Sequence, residues 1–154
     1  MFGKWYEVAR SSFFSDPKAN HMLVLHRHET GSISWLESWT DETGDTHQRD
    51  LKTIVDNNNI YVMTLPVWWT RYLVVDCRPA AYLILTGSLT TRLYSSTPTM
   101  DAATRDAAQG AMLLRGYSTD SLVWSPCAID GFNNVLQPRD APLHPRQRSV
   151  DWME

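Results

Sequence analysis

Along its first two thirds the chain alternates apolar and polar residues in short runs separated by turn-forming residues. That is the period-two signature of half-buried β-strands. Lys4 to Ala9 opens the series. Ser11 to Lys18 comes next as a polar loop carrying Phe13 and Phe14, with Pro17 closing off any helix there. His21 to Glu29 and Ser32 to Thr40 are joined by Thr30-Gly31, a two-residue hairpin link. In the second of these arms Ile33, Trp35, Glu37 and Trp39 share one face, and Ser34, Leu36 and Ser38 share the other. One face is therefore aromatic with a single acid, and the other is mostly small and polar. Past the turn at Thr43-Gly44-Asp45 come His47 to Val55, the turn Asp56 to Asn59, and Ile60 to Leu65. A bulky loop, Pro66 to Trp69, precedes Arg71 to Cys77, Tyr82 to Gly87 and Thr91 to Ser96, with turns at Arg78-Pro79-Ala80 and around Ser88. Strands in this sequence with short links predict an all-β, eight-stranded antiparallel up-and-down barrel, which leaves no exposed sheet edge.

The period then changes. Met100 to Arg115 reads as one C-terminal α-helix, with Thr99 as its N-cap and Asp101 in the first turn. Ala103, Ala107, Gly110, Ala111 and Leu114 form a stripe of mostly small residues that would let the helix lie close against a sheet. Gly116 stands where a helix C′ glycine belongs. Ser121 to Trp124 is a short ninth strand. Residues 1–136 are expected to form one barrel domain, and 137–154, with Pro138, Pro142 and Pro145, an irregular tail in which Trp152 is the anchor candidate.

Composition narrows the function classes. A chain of 154 residues with 43% hydrophobic and 20% charged residues is long enough for one packed core. The net charge is −3 and the basic residues are dispersed, so no nucleic-acid partner is expected. No apolar run approaches the roughly 18 residues of a transmembrane helix. Met1 to Arg10 lacks the apolar stretch of a signal peptide, which places the chain as it stands in the cytoplasm; a mature fragment would be secreted or periplasmic. Cys77 and Cys127 form no metal or redox motif, and reduced thiols are favoured over a disulfide. Seven Trp, six Tyr and four Phe, with Trp68 and Trp69 adjacent, supply flat apolar faces suited to a core or to a ligand.

Three segments carry a family resemblance. Gly3-Lys4-Trp5-Tyr6-Glu7-Val8-Ala9-Arg10 resembles the opening G-x-W segment of lipocalins, in particular the bacterial and apolipoprotein-D branch. Val75-Asp76-Cys77 falls where that family carries T-D-Y. Ser95-Ser96-Thr97-Pro98, the helix and Gly116 to Leu122 resemble the family's third segment, its helix and the helix exit. The resemblance covers the chain to about Ile129 and implies a barrel whose floor is closed by Trp5. Two of the floor positions depart from the pattern. Ser96 stands where the family places an Arg over the opening Trp, a loss of about 0.5–1 kcal/mol of cation–π attraction unless Arg10, Arg92 or a tail Arg substitutes.

The resemblance implies binding of a small hydrophobic molecule, as a carrier or scavenger. An eight-stranded barrel has just enough interior for one. Trp35, Glu37 and Trp39 are expected on the wall, with Trp68, Trp69, Phe13 and Phe14 at the mouth as an apolar lid. If Ser96 faces inward, so do Tyr94 and Arg92, and Arg92 can meet Glu37 as a buried pair; the alternative is that both charges reach solvent at the rim. His26 and His28 share a face with no third ligand at metal spacing, so hydrogen-bonded or surface histidines are expected for them and for His21, and neither a metal nor a cofactor. The enzymatic alternative is isomerisation, cyclisation (pericyclic cyclisation included) or dehydration of an apolar polyene or polyketide-like intermediate. Glu37, Tyr94 and Arg92 would then be the catalytic candidates. On either reading the protein is expected to be a monomer or homodimer.

Overall fold

The computed structural model describes residues 1–12, 19–65 and 68–125. The strands are β1 (Gly3–Ser12), β2 (Ala19–Arg27), β3 (Ile33–Thr40), β4 (Thr46–Asp56), β5 (Asn59–Leu65), β6 (Trp68–Arg78), β7 (Tyr82–Thr86) and β8 (Thr90–Ser95). Helix α1 (Ala102–Leu114) and the short β9 (Val123–Trp124) complete the order. Each strand from β1 to β8 pairs antiparallel with the next, and β1 pairs with both β2 and β8, which closes an eight-stranded barrel. The closing contact with β2 runs only from Gly3 to Tyr6. Beyond it β9 takes over that edge, with Ala9 opposite Trp124 and the Ser125 amide donating to the Val8 carbonyl at 2.8 Å. The Gly31 turn is hairpin geometry: its φ of +84° lies in the left-handed region that glycine enters without a steric cost.

Two packed clusters hold this shell. Inside lie Trp5, Leu23, Leu25, Trp35, Ile60, Val62, Tyr72, Leu83, Leu85 and Tyr94. Outside, the helix covers Val8, Ala9, Val75, Tyr82, Ile84 and Leu93 with Ala108, Ala111 and Met112. Alternation explains the division on β7, where Leu83 and Leu85 point in and Tyr82 and Ile84 point out. On β6 a register shift between Val74 and Asp76 puts Val74 and Cys77 on the inner cluster and Val75 on the outer one.

The helix differs from expectation at its start and on its face. Asp101, not Thr99, is the N-cap, and its carboxylate accepts the Thr104 amide at 2.9 Å. The buried stripe is Ala108, Ala111 and Met112. Ala103 is exposed, and Leu114 is 89% exposed. The true face is turned by about one residue from the expected stripe, because alanines on several faces give a weak periodic signal and Met112 is the large side chain that selects the face. At the other end Gly116, with φ +80°, and Tyr117 return hydrogen bonds to Leu113 and Met112, a Schellman closure. Trp68 and Trp69, expected in a loop, begin β6, and β8 ends one residue early, at Ser95.

Candidate functional site

The meander sets two ends. The β3–β4 and β7–β8 links and the end of β1 lie at the mouth, and the chain start lies at the floor. There Trp5 Nε1 donates to the Met1 carbonyl at 2.7 Å, and Met1 packs on the inner cluster. Ser96 does not serve the floor tryptophan. Its hydroxyl donates to the Ala80 carbonyl at 2.8 Å and ties the end of β8 to the β6–β7 turn. Arg10 and Arg92, the candidate substitutes, are engaged with Glu7 and Glu37. Asp76 lies on the helix side, accepting from the Tyr82 hydroxyl at 2.7 Å and from Arg115 at 3.3 Å. Burial, and then Asp76, raise the Tyr82 pKa.

Inward positions change character from floor to mouth. On β1 Trp5 is followed by Glu7 and Arg10, on β3 Trp35 by Glu37, and on β2 Leu25 and Leu23 lead back to His21. On β8 Tyr94 lies below Arg92. Glu7 and Arg10 would fall on opposite faces of a regular strand. The register shift between Glu7 and Ala9 inserts one residue and turns both inward, so that Arg10 Nε donates to Glu7 Oε1 at 2.7 Å. His21 Nδ1 lies 2.8 Å from Glu7 Oε2, and His21 Nε2 lies 3.9 Å from Glu37 Oε1.

Glu37 is the centre of this layer and is 1% exposed. Its cross-strand partner Arg49 donates from Nε to Oε2 at 2.7 Å, with a second contact from Nη2. From β8, Arg92 Nη1 donates to Glu37 Oε1 at 3.0 Å and to the Tyr94 hydroxyl at 3.3 Å. The Arg92 guanidinium also lies 5.4 Å from the Tyr72 ring, which stacks on Trp35 at 5.2 Å. Arg92 thus reaches across the interior from β8 to β3 and β6. The Nε of Arg92 is buried without a hydrogen-bond partner, and the buried indole N–H of Trp35 has no closer partner than Glu37, whose ionised form it favours.

Burial alone would raise both carboxyl pKa values. For Glu7 the charge and contact of His21 and the bond from Arg10 outweigh it, holding the group at about 2. For Glu37 the charges of Arg92, His21 and Arg49 do the same, again to about 2. Burial opposes the Arg92 charge, but the acidic groups around it, Tyr94, Tyr72, Glu7 and Glu37, keep its pKa well above the ordinary value. Burial foremost raises the Tyr94 pKa.

Trp39 shares the inward face of β3, is half-buried, and stacks on His47 at 5.5 Å with Arg49 5.3 Å from its ring. His47 reaches on to the rim, 2.6 Å from Asp41 Oδ2. Trp68 is 65% exposed at the mouth beside Trp69. Phe13, Phe14 and the tail lie outside the described residues, as does Cys127; Cys77 is half-buried against the inner cluster. His26 and His28 meet edge to face at 4.9 Å, and His28 Nε2 lies 2.7 Å from the Ser34 hydroxyl.

Of the candidate residues, Trp35, Glu37, Arg92 and Tyr94 are gathered in one interior layer, with Trp39 above them. Glu7, Arg10, His21, Arg49 and Tyr72 belong to the same layer, and the sequence pattern does not single them out. Arg49 is within reach of it, since counting back from the Thr43-Gly44-Asp45 turn sets it opposite Glu37. Glu7 with Arg10 is not, because their meeting depends on the bulge.

No protein-family model and no curated protein sequence matches this chain. Solved structures do. Lobster apocrustacyanin A1 matches with a TM-score of 0.68 at 11% identity, over 80% of this chain and 76% of that one. H1 crustacyanin from the lobster Homarus americanus matches with a TM-score of 0.67 at 11% identity, over 81% and 76%. The cockroach allergen Per a 4 matches with a TM-score of 0.67 at 16% identity, over 80% and 83%. The fold of this chain is lipocalin-like.

Proposed function

We propose that the barrel binds one small, largely apolar molecule, held by the interior aromatics and oriented by the ionic layer below the mouth. The carrying observation is the change along four strands from apolar to ionic inward residues, with the Nε donor of Arg92 left without a partner. A barrel interior selected for stability alone would be filled with apolar side chains, because a buried ion pair stabilises no more than a well-packed apolar replacement. Binding sites, in contrast, combine mainly apolar walls with a few converging polar groups. Trp35, Tyr72 and Tyr94 supply the wall, Glu37 and Arg92 the polar groups. Trp39, Trp68 and Trp69 stand at the entrance, where Phe13 and Phe14 would complete an apolar lid. The protein would act as a carrier or scavenger.

The enzymatic alternative has weaker support. Glu37 stays ionised to about pH 2 and is committed to Arg49 and Arg92, which makes it a poor proton donor or acceptor near neutrality. The raised pKa of Tyr94 removes it equally from acid–base work there. Titration with the neutral fluorophore aminoanthracene tests the reading. Saturable energy transfer from tryptophan, at one probe per chain, is expected. Absence of saturable binding, by this and by calorimetry with a panel of retinoids, tetrapyrroles and polyenes, would sink it.

A further inference from the structure

The geometry points to a ligand whose polar group is a neutral hydrogen-bond acceptor, such as a carbonyl or ether oxygen, seated against Arg92 Nε and preferred over a carboxylate. This rests on the reading of the barrel as a binding site and specifies the chemistry of that site.

A buried arginine inside a barrel invites an anion at first sight. Here the anion is already built in. Glu37 Oε1 takes Arg92 Nη1 at 3.0 Å, and the same carboxylate is held by Arg49. Among the buried groups the charges balance, Glu7 and Glu37 against Arg10 and Arg92, while Arg49, the second cation on Glu37, has a side chain 38% exposed to water. What Arg92 still offers is the directional donor Nε, buried and without a partner on a residue 9% exposed. The Trp35 indole N–H, directed towards Glu37, lies close by, and both side chains lie against the Tyr72 ring, Arg92 at 5.4 Å and Trp35 at 5.2 Å. These donors stand on one aromatic platform.

A ligand carboxylate entering this seat would be the third negative group in it, beside Glu7 and Glu37, both held ionised. It would lose its hydration with no uncommitted charge at Arg92 to compensate. A carbonyl or ether oxygen carries no such cost and completes a charge-assisted bond to Nε. An arginine suits this role where lysine does not: the guanidinium can hold Glu37 with one nitrogen and present another elsewhere in a fixed plane.

The test is displacement of bound aminoanthracene at neutral pH by methyl decyl ketone and by laurate, which have matched chain lengths. The ketone should bind at least about tenfold more tightly than laurate. Arg92→Lys keeps a cation beside Glu37 but removes the Nε donor, and should bring the ketone down towards laurate. Glu37→Gln removes the built-in anion and should shift the ratio about tenfold or more towards laurate. Equal binding in the unmodified protein, or tighter laurate, overturns the inference while leaving the barrel a binding protein. Probe binding that the ketone does not displace overturns it as well. If neither the probe nor any competitor binds, the functional reading fails and the inference goes with it. The comparison in the unmodified protein decides the matter even where a variant does not fold.

Discussion

At Glu37 a carboxylate that is 1% exposed accepts hydrogen bonds from arginines on two different strands. Removing one member of such a group leaves the other charge buried. Glu37→Leu should cost about 3–5 kcal/mol in urea denaturation, and the double change Glu37→Leu with Arg92→Met should recover much of that loss. A double variant no more stable than the single one would show that the pair is not an energetic unit. Acid should act on the same residues. The pKa values of Glu7 and Glu37 are depressed to about 2 from a usual 4.5, so their ionised forms stabilise the fold above the unfolded value. That stability, on the order of a few kcal/mol, is lost as pH falls from about 4.5 towards 2. A urea midpoint that stays flat over that window would contradict the arrangement. Arg92 and Glu37 are legible as a pair because strand alternation is a local property. Their further partners His21 and Tyr72 come from β2 and β6, and at His21 the register shift between Ala19 and Met22 interrupts the alternation that would place it.

At the scale of elements, the clearest local signals are the turns and the helix exit. The N-cap lies two positions beyond the expected one because Thr99 and Asp101 are both good caps, and the bond to the Thr104 amide decides between them. Asp101→Ala should lower stability by about 1 kcal/mol, with Asp101→Asn retaining most of it, as read from thermal melts. The β7–β8 hairpin carries a less obvious constraint. A Cβ on Gly87 would stand 3.2 Å from the Tyr72 ring, which is held in turn by Trp35 and by Arg92. Gly87→Ala should therefore cost about 1–3 kcal/mol and shift the tryptophan emission, since the ring cannot move without disturbing Trp35. An unchanged spectrum and stability would show that Tyr72 can give way freely.

At the scale of the whole molecule, a ligand that binds only the closed barrel must raise its melting temperature by mass action. At a hundredfold excess over Kd the gain is about 2.7 kcal/mol, or roughly 5–11 °C for a domain of this size. A saturating ligand that leaves the melt unmoved would not be seated in the barrel. Among the described residues the order of strands, the late helix and the inward face of β3 are set by sequence alone, because strand alternation and turn chemistry act over a few neighbouring residues. Tertiary structure decides the rest. The bulge between Glu7 and Ala9 brings an acid and a base to the same face, the shift on β6 divides Val74 from Val75, and Met112 turns the helix against the sheet. Each depends on which strand lies alongside and what volume must be filled there, and neither is written in the local pattern of the residues concerned.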